Sequence, residues 1–245
     1  MEGLYKSIMS KRYKSKKRST VDKEKSNLLL KEFKPRTINQ HAYVRAIVET
    51  DLILCNGPAG CGKTACAVGM GVEYLHSGKV EKLVITRPIV EASHKSIGAL
   101  PGNVREKVGP YLFPLYEELE GYLGKSRLER YISEDKIDIC PLELMRGRTF
   151  NNSFLILDEA QNALFSQIQL FITRLGNDSK AIINGDIKQT DLPHRLAGGL
   201  KEFMSILNGF NDISIVYLDK IDIQRHPLVS KVLDMVEAYE CRNNR

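Results

Sequence analysis

The stretch Leu52–Val68, LILCNGPAGCGKTACAV, leaves this chain little freedom in what it can fold into. An apolar run of strand type breaks into glycines, reaches Lys63 and Thr64, and continues in small residues suited to a helix. Gly57–Thr64 satisfies G-x-x-x-x-G-K-[ST] in full, and the strand–loop–helix setting is the one a phosphate loop requires. Glycines let backbone N–H groups turn inward around phosphates, and the helix N-terminus adds the positive end of its dipole. The candidate nucleotide-binding residues are therefore Gly57, Pro58, Ala59, Gly60, Cys61, Gly62, Lys63, Thr64 and Ala65. Lys63 is expected to reach the β- and γ-phosphates, and the Thr64 hydroxyl to ligate Mg2+.

The rest of the chain alternates strands with helices. Buried-type strands rich in Val, Ile and Leu are predicted at 51–55, 82–86, 136–140, 153–157, 180–184 and 213–218. Helices are predicted at 63–76, 103–123, 142–146, 161–175, 195–207 and 227–240. Such alternation implies a parallel sheet covered on both faces, an α/β fold. With 245 residues there is room for one good core. The division expected is a basic tail and linker over residues 1–35 and one domain over 36–245.

Charge separates those two parts. Residues 1–20 hold seven of the 36 Lys and Arg side chains against one acidic residue, Glu2. What remains is 29 basic and 29 acidic side chains, so the domain is neutral and the tail carries the whole excess of +6. Lys11, Arg12, Lys14, Lys16, Lys17 and Arg18 form a block that reads as a solvated arm, as a sequence-blind grip on nucleic-acid phosphates, or as both. No apolar run is long enough to cross a bilayer and the N-terminus lacks a signal-peptide pattern, so a cytoplasmic protein without a membrane partner is expected. The five cysteines contain no C-x-x-C pair, which argues against a zinc knuckle. Cys61, inside the glycine-rich loop, is the one with an oxidation role to consider.

A phosphate loop alone does not choose between kinase, switch and motor. In FLILDEAQ an apolar strand ends in Asp158, which can hold Mg2+, and Glu159 follows as a second carboxylate able to polarise a water. A kinase would not need that base. Next, AIINGDIKQTDLP ends a further strand in polar residues, with Gln189 placed to report the γ-phosphate. An N-K-x-D guanine reader is absent. Upstream, Gln40 in RTINQHAY offers an amide suited to the adenine edge. ATP and Mg2+ are the ligands expected, with hydrolysis linked to movement.

Taken together, GPAGCGKT, TRPIVEASHKSIGALPGNVREKVGPYLFPLYEEL, PLELMRGRTFNNSFLILDEAQNA, FITRLGNDSKAIINGDIKQTDLP and RHPLV resemble the phosphate-starvation-inducible PhoH-like ATPases over about Gln40 to Glu240. The resemblance implies a single RecA-like P-loop NTPase domain related to superfamily 1 helicases. It also implies ATP hydrolysis, assembly into rings with hexamers as the usual expectation, and a place in RNA metabolism. By position, Asp158 and Glu159 match the metal and water residues, Gln189 the γ-phosphate sensor, and Arg225 the late arginine near the nucleotide. Thr86 and Arg87 match the helicase-like segment that faces nucleic acid. Cys61 departs from the Thr more usual in this loop. No nuclease-type segment is recognisable, so a ribonuclease enters only as an expected partner. One motor domain must take its catalytic arginine from elsewhere, and Arg225, Arg174, Arg148 and Arg195 are candidates. Residues 89–119 read either as an insertion meeting nucleic acid or a neighbouring subunit, or as a packed helical hairpin. Beside the motor stands an alternative, a nucleotide-gated binding protein in which ATP switches affinity for a protein partner.

Overall fold

The computed structural model describes residues 33–89, 104–193 and 196–224, together with Leu228, Val232 and Met235. Six strands form one sheet: β1 Leu52–Asn56, β2 Lys82–Arg87, β3 Ile137–Pro141, β4 Ser153–Leu157, β5 Lys180–Gly185 and β6 Ile213–Tyr217. Every pairing is parallel, in the order β3-β2-β4-β5-β1-β6. One strand, β5, thus separates the strand feeding the phosphate loop from the strand ending at Asp158. This is the RecA-like P-loop architecture. Because all strands run the same way, the loops after β1, β2, β4, β5 and β6 gather at one end of the sheet.

Alternation along the strands builds the core on both faces. Ile53, Ile85, Ile156 and Ile182 pack with Tyr43, Val68, Leu115 and Leu119. Their sequence neighbours Leu54, Val84, Leu155 and Ile183 point the other way, onto Ile168, Phe171, Leu200 and Met204. The first layer is built by α1 (Ile38–Glu49), α2 (Lys63–His76), α3 (Val104–Leu123) and α4 (Lys125–Ser133). The second is built by α5 (Phe165–Ile172) and α6 (Gly199–Leu207). A strand buried on both faces needs no polar positions, which is why SFLIL in β4 is buried throughout.

The strands lie within a residue or so of their predicted ends. The helices depart more. Residues 142–145 and 160–162 are 3-10 turns, so the helix predicted at 161–175 shrinks to Phe165–Ile172. The helix predicted at 195–207 begins only at Gly199. Two further helices, α1 and α4, stand where the pattern predicts none. Residues 104–119 belong to one helix, α3, while 90–103 lie outside the described residues, as do the tail and most of 225–245. Among the described residues no helix is long and apolar enough to cross a membrane.

Candidate active site

The phosphate loop leaves β1 at Asn56 and is tied to the neighbouring strand by Gly57 N–H donating to Gly185 O at 3.1 Å. Gly62, at φ 90°, turns the chain into α2, and a Cβ there would lie 2.8 Å from Gln40 Nε2. Only glycine meets both demands. Gly62, the N-cap, has no side chain with which to cap the first N–H groups of α2. The Lys63 ammonium curls back into the loop, donating to Gly57 O at 2.5 Å and Pro58 O at 3.0 Å. A cation held by loop carbonyls, beside uncapped N–H donors, is the cradle a polyphosphate needs.

Gln40 fastens that cradle from behind. It is buried on α1, whose N-cap Thr37 accepts from Gln40 N–H at 3.2 Å. Its amide donates to Cys61 O at 2.9 Å and accepts from Arg36 N–H at 2.8 Å. On the other flank Gln224 N–H donates to Gly60 O at 3.3 Å. The buried Asp222 carboxylate then joins both flanks, accepting from Thr37 Oγ1 at 2.5 Å, Asn39 Nδ2 at 2.9 Å and Asp219 N–H at 2.7 Å. Burial pushes this carboxyl up, but those donors outweigh it and hold Asp222 below its usual value. Asp222 had no motif to announce it.

Across the loop Thr64 Oγ1 donates to Asp158 Oδ1 at 2.9 Å, which brings together the two residues expected to share Mg2+. They fit that ion: a hydroxyl and a carboxylate, both oxygen donors, at the mouth of a phosphate loop. The second oxygen, Asp158 Oδ2, accepts from Arg87 Nη2 at 2.6 Å. Glu159 adopts the left-handed conformation, φ 56°, which turns it out of line with β4. Its side chain is 44% exposed where that of Asp158 is 2% exposed, so the two adjacent carboxylates have opposite environments. Gln161 Nε2 donates to Glu159 Oε2 at 2.5 Å, while Gln161 Oε1 accepts from Asp186 N–H at 3.0 Å. Gln161 thereby links the candidate base to the loop after β5. Sequence reasoning passes over it, although it stands within FLILDEAQ.

Gln189 is exposed and lines a cleft of about 220 Å³ together with Gln161, Thr190, Leu200 and Lys201. The same loop is pinned by Thr190 Oγ1 donating to Gln161 O at 3.1 Å and by Asn162 donating to Asp191 at 2.9 Å.

Three expectations need correction. Thr86 is fully buried in β2 and cannot meet nucleic acid here; its Oγ1 has no hydrogen-bond partner among the described residues. Arg87 faces the carboxylates instead of an outer surface. Cys61 is buried, with Sγ 3.8 Å from Lys63 Nζ; burial pushes its thiol up more than the lysine pulls it down, the wrong direction for a reactive thiolate. Arg148 and Arg174 are engaged away from the phosphate loop, Arg148 against edge strand β3. Arg148 pairs with Asp138 Oδ2 at 2.5 Å, and Arg174 donates to Arg148 O at 3.0 Å. Arg225, Arg195 and the basic residues 11–18 are outside the described residues.

Known proteins resemble this chain over most of its length. The profile of the family described as PhoH-like protein matches residues 32–237. The PhoH-like protein of Bacillus subtilis (strain 168) is 46% identical over 213 residues, covering 87% of this chain and 66% of that protein. The PhoH-like protein of Synechocystis sp. is 42% identical, covering 85% of this chain and 62% of that one. Protein PhoH of Escherichia coli (strain K12) is 38% identical, covering 78% and 54%. The chain thus spans between about half and two thirds of the length of these relatives. Among solved structures, the large terminase of a thermophilic bacteriophage aligns at TM-score 0.47 and 14% identity over 80% of this chain and 49% of that one. The Pyrococcus furiosus Hef helicase domain aligns at TM-score 0.47 and 18% identity over 79% and 40%. With the family profile covering all but the two ends of the sequence, the chain belongs to the PhoH-like family.

Proposed function

We propose that this protein binds ATP with Mg2+ and hydrolyses it, acting in the cytoplasm as an oligomeric motor or remodeller on RNA or single-stranded nucleic acid. The observation that carries the reading is the placement of Thr64 against Asp158 at 2.9 Å, with the Lys63 cradle on one side and the more open Glu159 on the other. Thr64 and Asp158 would hold Mg2+, which supplies charge neutralisation to the β- and γ-phosphates when bound. Lys63 exchanges the carbonyls of Gly57 and Pro58 for anionic oxygens, a stronger partner for an ammonium. Glu159 is exposed enough to meet a water and accept its proton, whereas Asp158 is not. Gln189, in the cleft with Gln161, can pass the state of the γ-phosphate to Glu159 through the Gln161 amide. Gln40 keeps one amide N–H and one oxygen lone pair beyond its two contacts, enough for the adenine edge.

In this reading a closed ring, a hexamer, completes each ATP site with an arginine from a neighbour. Arg225 is the first candidate; Arg148 and Arg174, engaged with Asp138 and with each other away from the phosphate loop, could serve only a neighbour's site. The tail lysines and arginines would hold phosphates of the nucleic acid, and a ribonuclease is the partner class such a substrate suggests. The test is ATP turnover by wild type and Glu159→Gln, with and without single-stranded RNA. Turnover raised by RNA, and lost in Glu159→Gln while ATP still binds, is the expected result.

One observation favours the nucleotide-gated alternative: Glu159 is already engaged by Gln161 at 2.5 Å and faced by Arg87 at 3.8 Å. A base kept so with ATP bound would turn over slowly. Tight ATP binding without RNA-stimulated turnover would favour that reading.

A further inference from the structure

Arg87 is the last residue of β2 and stands beside the candidate metal ligands without belonging to the phosphate loop. Its neighbourhood is dense. Nη2 lies 2.6 Å from Asp158 Oδ2 and 3.8 Å from Glu159 Oε1, and Nη1 donates to Tyr111 O at 3.4 Å. The side chain is 17% exposed and that of Asp158 2% exposed, so this is a largely desolvated pair. Adjacent backbone fixes it further, because Asp158 N–H donates to Thr86 O at 2.9 Å. The Arg87 Nε has no hydrogen-bond partner among the described residues. A guanidinium content with its place would use its fork on the carboxylate; this one makes a single close contact.

Both oxygens of Asp158 are accounted for, one by Thr64 and the other by Arg87. A buried carboxylate needs a cation, and in this arrangement Arg87 is that cation. A divalent ion arriving at Thr64 and Asp158 would be the largest local charge, and a guanidinium at 2.6 Å from the same carboxylate would be repelled by it. The two cations compete for one anion.

We propose that Arg87 is the counter-ion of Asp158 in the nucleotide-free protein, exchanged for Mg2+ on loading, and so a positioning residue that couples metal occupancy to α3. The proposal rests on the Mg·ATP reading above. The path to α3 is the contact with Tyr111 O, in the turn before Pro114, which has no N–H to offer the carbonyl of Pro110. α3 also touches the loop helix directly, through Tyr122 OH donating to Ala65 O at 3.1 Å. Arg87 thus stands between the metal site and a helix that contacts α2.

The test uses the full chain with ADP as probe, since ADP has no γ-phosphate on which a released guanidinium could act. Mg2+ is titrated into wild type, Arg87→Gln and Arg87→Lys at fixed ADP, and melting temperatures are taken with and without Mg·ADP. With no cation to expel, Arg87→Gln should half-saturate at an Mg2+ concentration lower by on the order of tenfold. It should melt below wild type when empty, and Mg·ADP should close most of that gap. Arg87→Lys, keeping the charge, should fall between. Arg87→Gln combined with Asp158→Asn should recover part of the melting temperature of the empty protein, because no buried charge is left alone. If Arg87→Gln lowers the melting temperature equally in both states and leaves the Mg2+ titration unchanged, Arg87 is a structural ion-pair partner and the proposal is overturned. Should Arg87→Gln not fold, the Arg87→Lys titration decides alone, an unchanged midpoint refuting the exchange. Failure of the wild type itself to bind ADP in an Mg2+-dependent way would remove the Mg·ATP reading and this proposal with it.

Discussion

Two Arg–Asp pairs brace this sheet, one where β2 and β4 end and one on edge strand β3. In the first Arg87 meets Asp158 at 2.6 Å; in the second Arg148 meets Asp138 at 2.5 Å. Both aspartates have side chains 2% exposed, so burial and distance do not tell them apart. Their surroundings do. Asp158 also accepts from Thr64 and has Glu159 beside it, at the end where loops converge. Asp138 lies near the start of β3, and its arginine stacks over the Phe150 ring at 4.6 Å while lending its carbonyl to Arg174. The same chemical pair is a replaceable stopper in one place and a clasp in the other. What an ion pair does depends on what else faces the carboxylate.

The largest effect that would break this contrast is catalytic. Glu159→Gln should lower ATP turnover about a hundredfold or more while leaving nucleotide binding near wild type, since it removes the proposed base and spares the proposed metal ligand. Unchanged turnover would deprive the Asp158 end of its chemistry and leave two structural pairs. Arg148→Gln should next destabilise the protein by about 1–3 kcal/mol, below the scale of a fully buried pair because the arginine side chain is 35% exposed. Denaturation with and without Mg·ADP should show the same deficit, and a deficit that vanished on loading would place the clasp at the nucleotide site after all.

A smaller effect sharpens the contrast with a third buried acid. Asp222→Asn should cost about 1–2 kcal/mol at neutral pH, a few degrees in melting temperature. The folded carboxyl is held below its usual value, so its contribution is complete above the unfolded value near 3.9 and is lost as pH falls through the folded one. Melting curves of the two proteins should therefore converge in acid, and a gap constant down to about pH 3 would show that charge is not what Asp222 supplies. The smallest effect concerns residues 1–20. Deleting them should weaken single-stranded RNA binding and reduce the log–log salt slope by about 0.7 for each phosphate no longer neutralised. An identical slope would make the tail an inert arm and confine any grip on nucleic acid to the domain.

Legibility follows the width of the apolar surface. The strands can be read because a parallel strand buried on both faces is a continuous run of Val, Ile and Leu, as in KLVIT and SFLIL. α2 announces itself through the loop ahead of it. α1 does not, because it buries only Gln40, Tyr43, Ala46 and Ile47, a narrow stripe that includes a polar residue. α4 buries only Leu128 and Ile132 between charged neighbours. The 3-10 turn at Ala160–Asn162 reads as helix, since its composition does not reveal that Glu159 enters it left-handed.

The sequence by itself determined the architecture and the phosphate loop. G-x-x-x-x-G-K-T is a local instruction: its glycines, lysine and threonine act on one another and on the helix they begin, within eight residues. Asp158 and Glu159 are equally local, two carboxylates at the end of one apolar strand. Tertiary structure alone decided the partners across the sheet. Nothing near Arg87 in the chain indicates that Asp158, 71 positions away, is its counter-ion, nor that Asp222 ties α1 to the segment after β6 across 185 positions. Those contacts exist because strand order brings β2 beside β4 and β6 beside β1, and strand order follows from the packing of whole faces rather than from any one segment.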